Sequence, residues 1–181
     1  MFIKEKVMRH RIIMMVLILV SSLLADEKTL TLTKTNQSIA IDGFIDDTEW
    51  SGSSIADEFF EIMPGENVSP SVKTIIYITY DDDQLFVGYK AQDNPDDIRA
   101  NISKRDEIYE DDMVGIMLDP QNTEVMAYSF SCNPFGNQAD MQKVNQKEND
   151  SWDAVWSSAG RITESGFEVE MAIPFSSIRI P

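Results

Sequence analysis

The amino-acid sequence predicts an all-β protein: an antiparallel β-sandwich of immunoglobulin-like or jelly-roll type, preceded by an N-terminal signal helix. Three observations carry that expectation. Residues 72–80 are dense in β-branched and aromatic side chains, residues 85–91 follow with an apolar residue at every second place, and Asp81-Asp82-Asp83-Gln84 supplies a water-facing turn between them. Leu85, Val87, Tyr89 and Ala91 share one face of the second strand, and so apolar a face is hidden only against another sheet. Strand-like segments also recur at short intervals with turn residues between them, while no long stretch keeps a helical period.

At the start of the chain, Lys4, Lys6, Arg9 and Arg11 precede an uncharged apolar run over residues 12–24, which Ala25 closes before Asp26 and Glu27. That is the build of a signal peptide over residues 1–25, too short to span a bilayer well. A short membrane anchor is the alternative reading, because Leu23 suits poorly a place three residues before the cut. No cysteine follows the apolar run, so a lipoprotein anchor is not available. Residues 26–38 are then a lead-in and residues 39–181 the sandwich.

Residues 30–33 and 39–41 read as short strands. Asp42-Gly43 makes a turn, and Asp46-Asp47-Thr48 caps a helical turn carrying Trp50, whose expected role is to plug the open end of the sandwich. Residues 51–70 read as loop, with Phe59, Phe60 and Ile62 on an edge strand. Asp93-Asn94-Pro95-Asp96-Asp97 is a turn cluster, and residues 98–109 form a charged connection. Residues 113–118 read as a buried strand. Residues 127–133 alternate strictly, with Tyr128, Phe130 and Cys132 inward. Asn133-Pro134-Phe135-Gly136-Asn137 turns the chain into a polar loop through residue 150, and residues 152–156 are expected to be a further strand. The last strand puts Phe167, Val169, Met171 and Ile173 on one face and Glu168 and Glu170 on the other. The halt at Pro181 directly after it suggests the front part of a longer protein.

Removal of the leader leaves 156 residues, enough for one domain with a real core. Residues 1–25 carry a net +3, so the remainder carries −19 against the −16 of the whole chain. That balance argues against nucleic acid and anionic membranes as partners and suits neutral ligands or cations. Cys132 is the sole cysteine, so no internal disulfide forms, and its apolar strand makes it a buried thiol. His10, the sole histidine, lies in the leader, which excludes histidine-paired nucleophiles and imidazole zinc sites from the exported chain.

The order of landmarks resembles carbohydrate-binding module family 9. The resemblance rests on Ile41-Asp42-Gly43 with Trp50, the hairpin Tyr80-Asp81-Asp82-Asp83-Gln84-Leu85-Phe86-Val87, the run from Asp111-Asp112-Met113 to Leu118-Asp119, and Gly166-Phe167-Glu168-Val169-Glu170-Met171-Ala172-Ile173-Pro174. Lys104-Arg105-Asp106, Asn133-Pro134-Phe135-Gly136-Asn137-Gln138-Ala139-Asp140 and Ser151-Trp152-Asp153-Ala154-Val155-Trp156 are more similar to a subgroup in which such a domain precedes an outer-membrane β-barrel. The resemblance implies a non-catalytic saccharide-binding sandwich in the periplasm or at the outer membrane, associated with breakdown of xylan-type polysaccharide. Its implied partners are a saccharide or envelope polysaccharide and a C-terminal membrane barrel. It also raises calcium, for which Asp93 and Asp96 offer oxygen ligands in a turn, against the plainer reading of a solvated turn.

Sugar recognition needs an aromatic face and planar hydrogen-bonding groups around it. Trp152 and Trp156, four residues apart, would sit on one side of a strand about 13 Å apart at ~3.3 Å per residue, either as a shelf for two sugar units or as core. Tyr109 lies in a polar connection and is expected to be exposed. Arg105, Asp112, Asn133 and Gln138, with Asp106, Asp111 and Asp140, are the polar candidates; an arginine among aspartates also serves as a salt-bridged loop clamp. Two other readings stand beside sugar binding. A carboxylate-dependent glycoside hydrolase would need a pair such as one built on Glu170, whose place mid-strand fits a structural hydrogen bond better. A docking or gating domain of a barrel would bind no free sugar.

Overall fold

The computed structural model describes residues 28–178, and the expectation of a signal peptide and signal helix falls outside them. The chain divides into two compact units, Met1–Leu30 and Thr31–Pro181, and all ten strands of the described residues lie in the second. No helix among the described residues is long and apolar enough to cross a membrane.

Two sheets build that unit. The larger holds β1 (Thr33–Lys34), β2 (Ser54–Ala56), β3 (Lys73–Tyr80), β4 (Gln84–Gln92), β9 (Ser157–Thr163) and β10 (Gly166–Pro174). Its order is β1-β3-β4-β10-β9, with β2 also on β3. The smaller sheet runs β5 (Val114–Leu118), β6 (Met126–Cys132), β7 (Gln138–Val144) and β8 (Lys147–Asn149) in sequence order. A short 3₁₀ turn, Phe175–Ser177, follows β10.

The central hairpin forms as expected, with Tyr80 opposite Leu85 and Asp81 Oδ1 accepting from Asp83 N and Gln84 N at 2.8 Å each. The turn is stable because a carboxylate satisfies amides that no strand reaches. Leu85, Val87, Tyr89 and Ala91 of β4, Phe167, Val169, Met171 and Ile173 of β10, and Tyr128, Phe130 and Cys132 of β6 meet in one core. The period-2 patterns of the three strands therefore bury against one another, each large side chain contributing about 1.5–3 kcal/mol relative to exposure.

A second apolar layer covers the outer face of the larger sheet. Ile39, Ile45 and Trp50 pack there on Phe86 and Ala172. Trp50 has the structural role expected of it, at a different place: it lies across a sheet face, where glycine at position 88 leaves room, since a Cβ there would come within 3.1 Å of the indole. The capped turn that carries it is present, with Asp46 Oδ1 accepting from Thr48 N and Trp50 N donating to Asp46 O.

Several elements differ from expectation. β1 is shorter than the strand read at 30–33 and runs parallel to β3, so the larger sheet is mixed. Residues 39–41 form no strand, because they cross the sheet face and do not extend an edge. The loop over 51–70 contains β2, and its expected edge strand reduces to one bridge between Glu61 and Val68. β5 is inward on one side only, with Met117 exposed. The polar stretch after residue 137 is the hairpin β7–β8, and residues 152–156 lie outside any strand, with β9 beginning after them.

Candidate functional site

Most of the polar residues expected to bind sugar are spent on holding the fold. Arg105, on the connection between β4 and β5, donates to Gln138 Oε1 at 2.6 Å and to the Ala154 carbonyl at 2.8 Å, pairs with Asp140, and lies 3.3 Å from Asp153. Asp140 is buried on β7 and also accepts from Trp156 Nε1 at 2.7 Å and Ala154 N at 3.1 Å. Burial pushes its carboxyl above the usual range, against the pull of Trp156, Ala154 and Arg105. Gln138 passes the restraint on, donating to the Trp156 carbonyl at 3.1 Å. Arg105, Gln138, Asp140 and Trp156 thus form one clamp tying the connection and the 152–156 segment to β7.

Trp152 and Trp156 lie on no strand, yet both rings meet Phe130, at 6.0 and 5.4 Å between centroids. Trp156 keeps only 7% of its surface exposed. Trp156 is core and Trp152 is partly buried against it, which is the core alternative and not the two-tryptophan shelf: with no ladder to hold residues 152–156 at an edge, apolar burial draws the indoles inward.

Asn133 is fully buried and uses both ends of its amide, donating to Asn101 O and Asp111 Oδ2 at 2.8 Å each and accepting from Asn137 N at 2.9 Å. Asp111, bonded by Asn133 and Asn101, is held below the usual carboxylate range. Asp112 accepts from Arg99 N at 2.8 Å and fixes the same connection. The turn around Asn133 seats on β9 at Gly160, where a Cβ would meet Pro134 O at 2.8 Å, and the Asp42-Gly43 turn approaches the same glycine.

Glu170, expected to face outward from β10, is instead sealed beneath residues 39–50. Its carboxylate accepts from Trp50 Nε1 at 2.9 Å, Gly43 N at 2.8 Å and Asp42 N at 3.0 Å. It is the structural hydrogen-bond centre that the sequence favours, with no face open to substrate. Asp93 and Asp96 lie in a turn closed on itself: Asp93 Oδ1 accepts from Asn94 N at 2.7 Å, and Asn94 donates to Asp97 at 2.8 Å. Among the described residues, no three histidine, cysteine, aspartate or glutamate side chains form a metal-holding group.

Two open places among the described residues carry polar groups of interest. Tyr109 is 54% exposed, as expected, but its surroundings are anionic: desolvation first, then the charges of Asp106, Asp150, Asp140 and Glu148, raise its phenol pKa. The other place is a groove of about 380 Å³ lined by Met117, Asp119, Glu124, Val125, Ala127, Lys143 and Gln146. It lies on the side of the smaller sheet turned from the core, where Ala127 pairs with Lys143 while their neighbours Tyr128 and Phe130 point inward. The loop over 119–125 and the two-residue turn at 145–146 wall it, joined by Asn145 N donating to Val125 O at 2.8 Å. Asp119 organises the loop: desolvation raises its pKa, but the amides of Glu124, Thr123, Gln121 and Asn122 outweigh it and hold the carboxyl below the usual range. Sequence reasoning missed this groove because residues 138–150 read as loop. The pair Asn145-Gln146, a turn between two strands, was the available signal.

The family model described as carbohydrate family 9 binding domain-like matches residues 41–181. No curated protein matches the chain. Among solved structures, a family 9 carbohydrate-binding module of Caldicellulosiruptor kristjanssonii in complex with glucose is 17% identical, with 82% of this chain and 69% of that one covered at a TM-score of 0.54. The same organism's family 9 module in complex with cellotriose is 17% identical, with 80% and 66% covered at 0.53. A structure from Bacteroides uniformis is 16% identical, with 80% and 72% covered at 0.60. At such identities the likeness is one of fold, and it agrees with two packed sheets. With the family model spanning most of its length, this chain belongs to the carbohydrate family 9 binding domain-like family, a family of non-catalytic binding modules.

Proposed function

We propose that this domain binds a neutral saccharide at the envelope of the cell that exports it. The observation that carries the reading is family membership over residues 41–181, in a fold whose solved relatives hold glucose and cellotriose. Export rests on the leader-like residues 1–25 and on their resemblance to a signal peptide. The outer-membrane setting and the link to xylan-type polysaccharide rest on the subgroup motifs alone. As a binding module the domain turns nothing over, and Glu170 has no oxygen free for chemistry. Calorimetry of residues 26–181 with glucose, cellotriose and xylotriose tests the reading. Saturable binding without release of reducing ends supports it, and silence with all three overturns it.

Docking onto a further polypeptide, including a membrane barrel, is a second reading that one surface favours. Ile62 is 75% and Met63 82% exposed, Ile55 and Val68 are exposed in the same stretch, and no basic residue lies between Lys34 and Lys73. Apolar surface of this kind marks interaction sites more than random exposure does. Copurification of the full-length protein with an outer-membrane fraction, lost in Ile62→Ser with Met63→Ser, would favour docking over sugar binding.

A further inference from the structure

We infer that the groove outside the smaller sheet is the saccharide-binding site, and that it accepts a neutral sugar and rejects an acidic one. This rests on the saccharide reading above and deepens it by naming the place and the ligand class.

The first support is size and chemistry together. The volume of about 380 Å³ falls within the roughly 300–1,000 Å³ typical of small-molecule sites. Met117, Val125 and Ala127 give it an apolar floor for the C–H face of a sugar ring, aliphatic where an aromatic face was expected. Lys143, Glu124 and Gln146 also line the groove, residues whose side chains respectively donate, accept and do both. A sugar hydroxyl also donates and accepts, so a mixed set fits it. The open alternative at Tyr109 lacks that mixture: its charged neighbours Asp106, Asp150, Asp140 and Glu148 are all acceptors, and Arg105 beside them is committed to the clamp.

The second support is the backbone. β7 and β8 join through Asn145 and Gln146 with Val144 opposite Lys147, and both turn residues have positive φ, 48° and 64°. A turn of this kind prefers Asn followed by Gly. Gln146 occupies the glycine place and is one of the residues that line the groove. Across the groove Glu124 has φ 57° and lines it as well. Two residues with hydrogen-bonding side chains thus accept an unfavourable backbone, and both line one groove. Such local cost commonly accompanies a function that needs the side chain.

The charge of the groove sets the ligand class. Glu124 and Asp119 outnumber Lys143, and the chain beyond residue 25 carries −19, so a uronate would enter against the field while a neutral sugar meets none.

The test is titration of ¹⁵N-labelled residues 26–181 with cellotriose, and with glucuronate as the acidic control. Cellotriose is expected to shift the amides of Met117, Glu124, Val125 and Gln146, with glucuronate at least tenfold weaker. Gln146→Gly is expected to raise Tm, since it restores the favoured turn, while weakening cellotriose at least fivefold. Lys143→Ala is expected to weaken it similarly with the fold intact. Shifts centred on Tyr109 and residues 147–150, with the groove silent, would overturn the groove and leave saccharide binding standing. Equal affinity for glucuronate, or unchanged affinity in both variants, would also overturn it. No response to cellotriose, glucose or xylotriose would overturn the groove together with the function it rests on.

Discussion

Glu170 shows how one carboxylate can organise a whole segment. Trp50, Gly43 and Asp42 all donate to it, so the turn at 42–43 and the indole that seals the outer sheet face share one anchor. Burial holds its pKa above the ordinary 4.5, against those three donors. With the folded value raised, the native state holds more protons than the unfolded chain between the two values. This group's contribution to stability is therefore complete below about pH 4.5 and is lost as pH rises through the folded value. Thermal melts should show Tm climbing as pH falls from 7 toward 5, less steeply in Glu170→Gln. At pH 7 that variant should also lose about 1–3 kcal/mol, because its amide turns an N–H toward a backbone donor that wants an acceptor. A steeper climb in the variant would mean that another group sets the pH dependence.

At the scale of elements, the Arg105 clamp joins three pieces of chain that no ladder connects: the connection between β4 and β5, the start of β7 and the 152–156 segment. Arg105→Ala would leave the Asp140 carboxylate buried without its cation. The expected loss is about 2–4 kcal/mol, somewhat under that of a sealed pair because Arg105 keeps 34% of its side-chain surface in water. Urea unfolding measures the loss, and cellotriose affinity of the folded fraction should stay within twofold of the parent. A selective loss of sugar binding with stability unchanged would return Arg105 to the ligand. The clamp also explains which elements were legible in the sequence. β4, β6 and β10 each carry an unbroken row of apolar residues at every second place on their inward face, and that pattern is local. β7 points Gln138, Asp140 and Gln142 toward the side where β6 points Tyr128 and Phe130, so its inward row is polar and reads as loop. Only partners 14 to 35 residues away make that row burial-worthy. For Trp152 and Trp156 the spacing argument assumed a strand that is absent, and nothing local told core from shelf. Gln146 was hidden by the same misreading of β7 and β8.

For the whole molecule, the central quantity is charge. Thirty-one acidic residues face fifteen basic ones, and the ion pairs that form, such as Lys34 with Asp82 and Arg161 with Glu168, neutralise few of them. Exposed pairs are each worth about 0–1 kcal/mol, whereas repulsion among the unpaired carboxylates acts over the whole surface. At 0.01 M salt that repulsion extends about 30 Å, roughly the dimension of a small domain, and at 1 M only about 3 Å. Raising sodium chloride between those limits should therefore raise Tm of residues 26–181, with each 1 kcal/mol of relieved repulsion giving about 2–4 °C. Sugar affinity should hold nearly constant over the same range, since a neutral ligand brings no charge for salt to screen. A falling Tm would show that ion pairs govern the surface. An affinity that changed tenfold with salt would show that the ligand is charged, in conflict with the groove's excess of carboxylates over its single lysine.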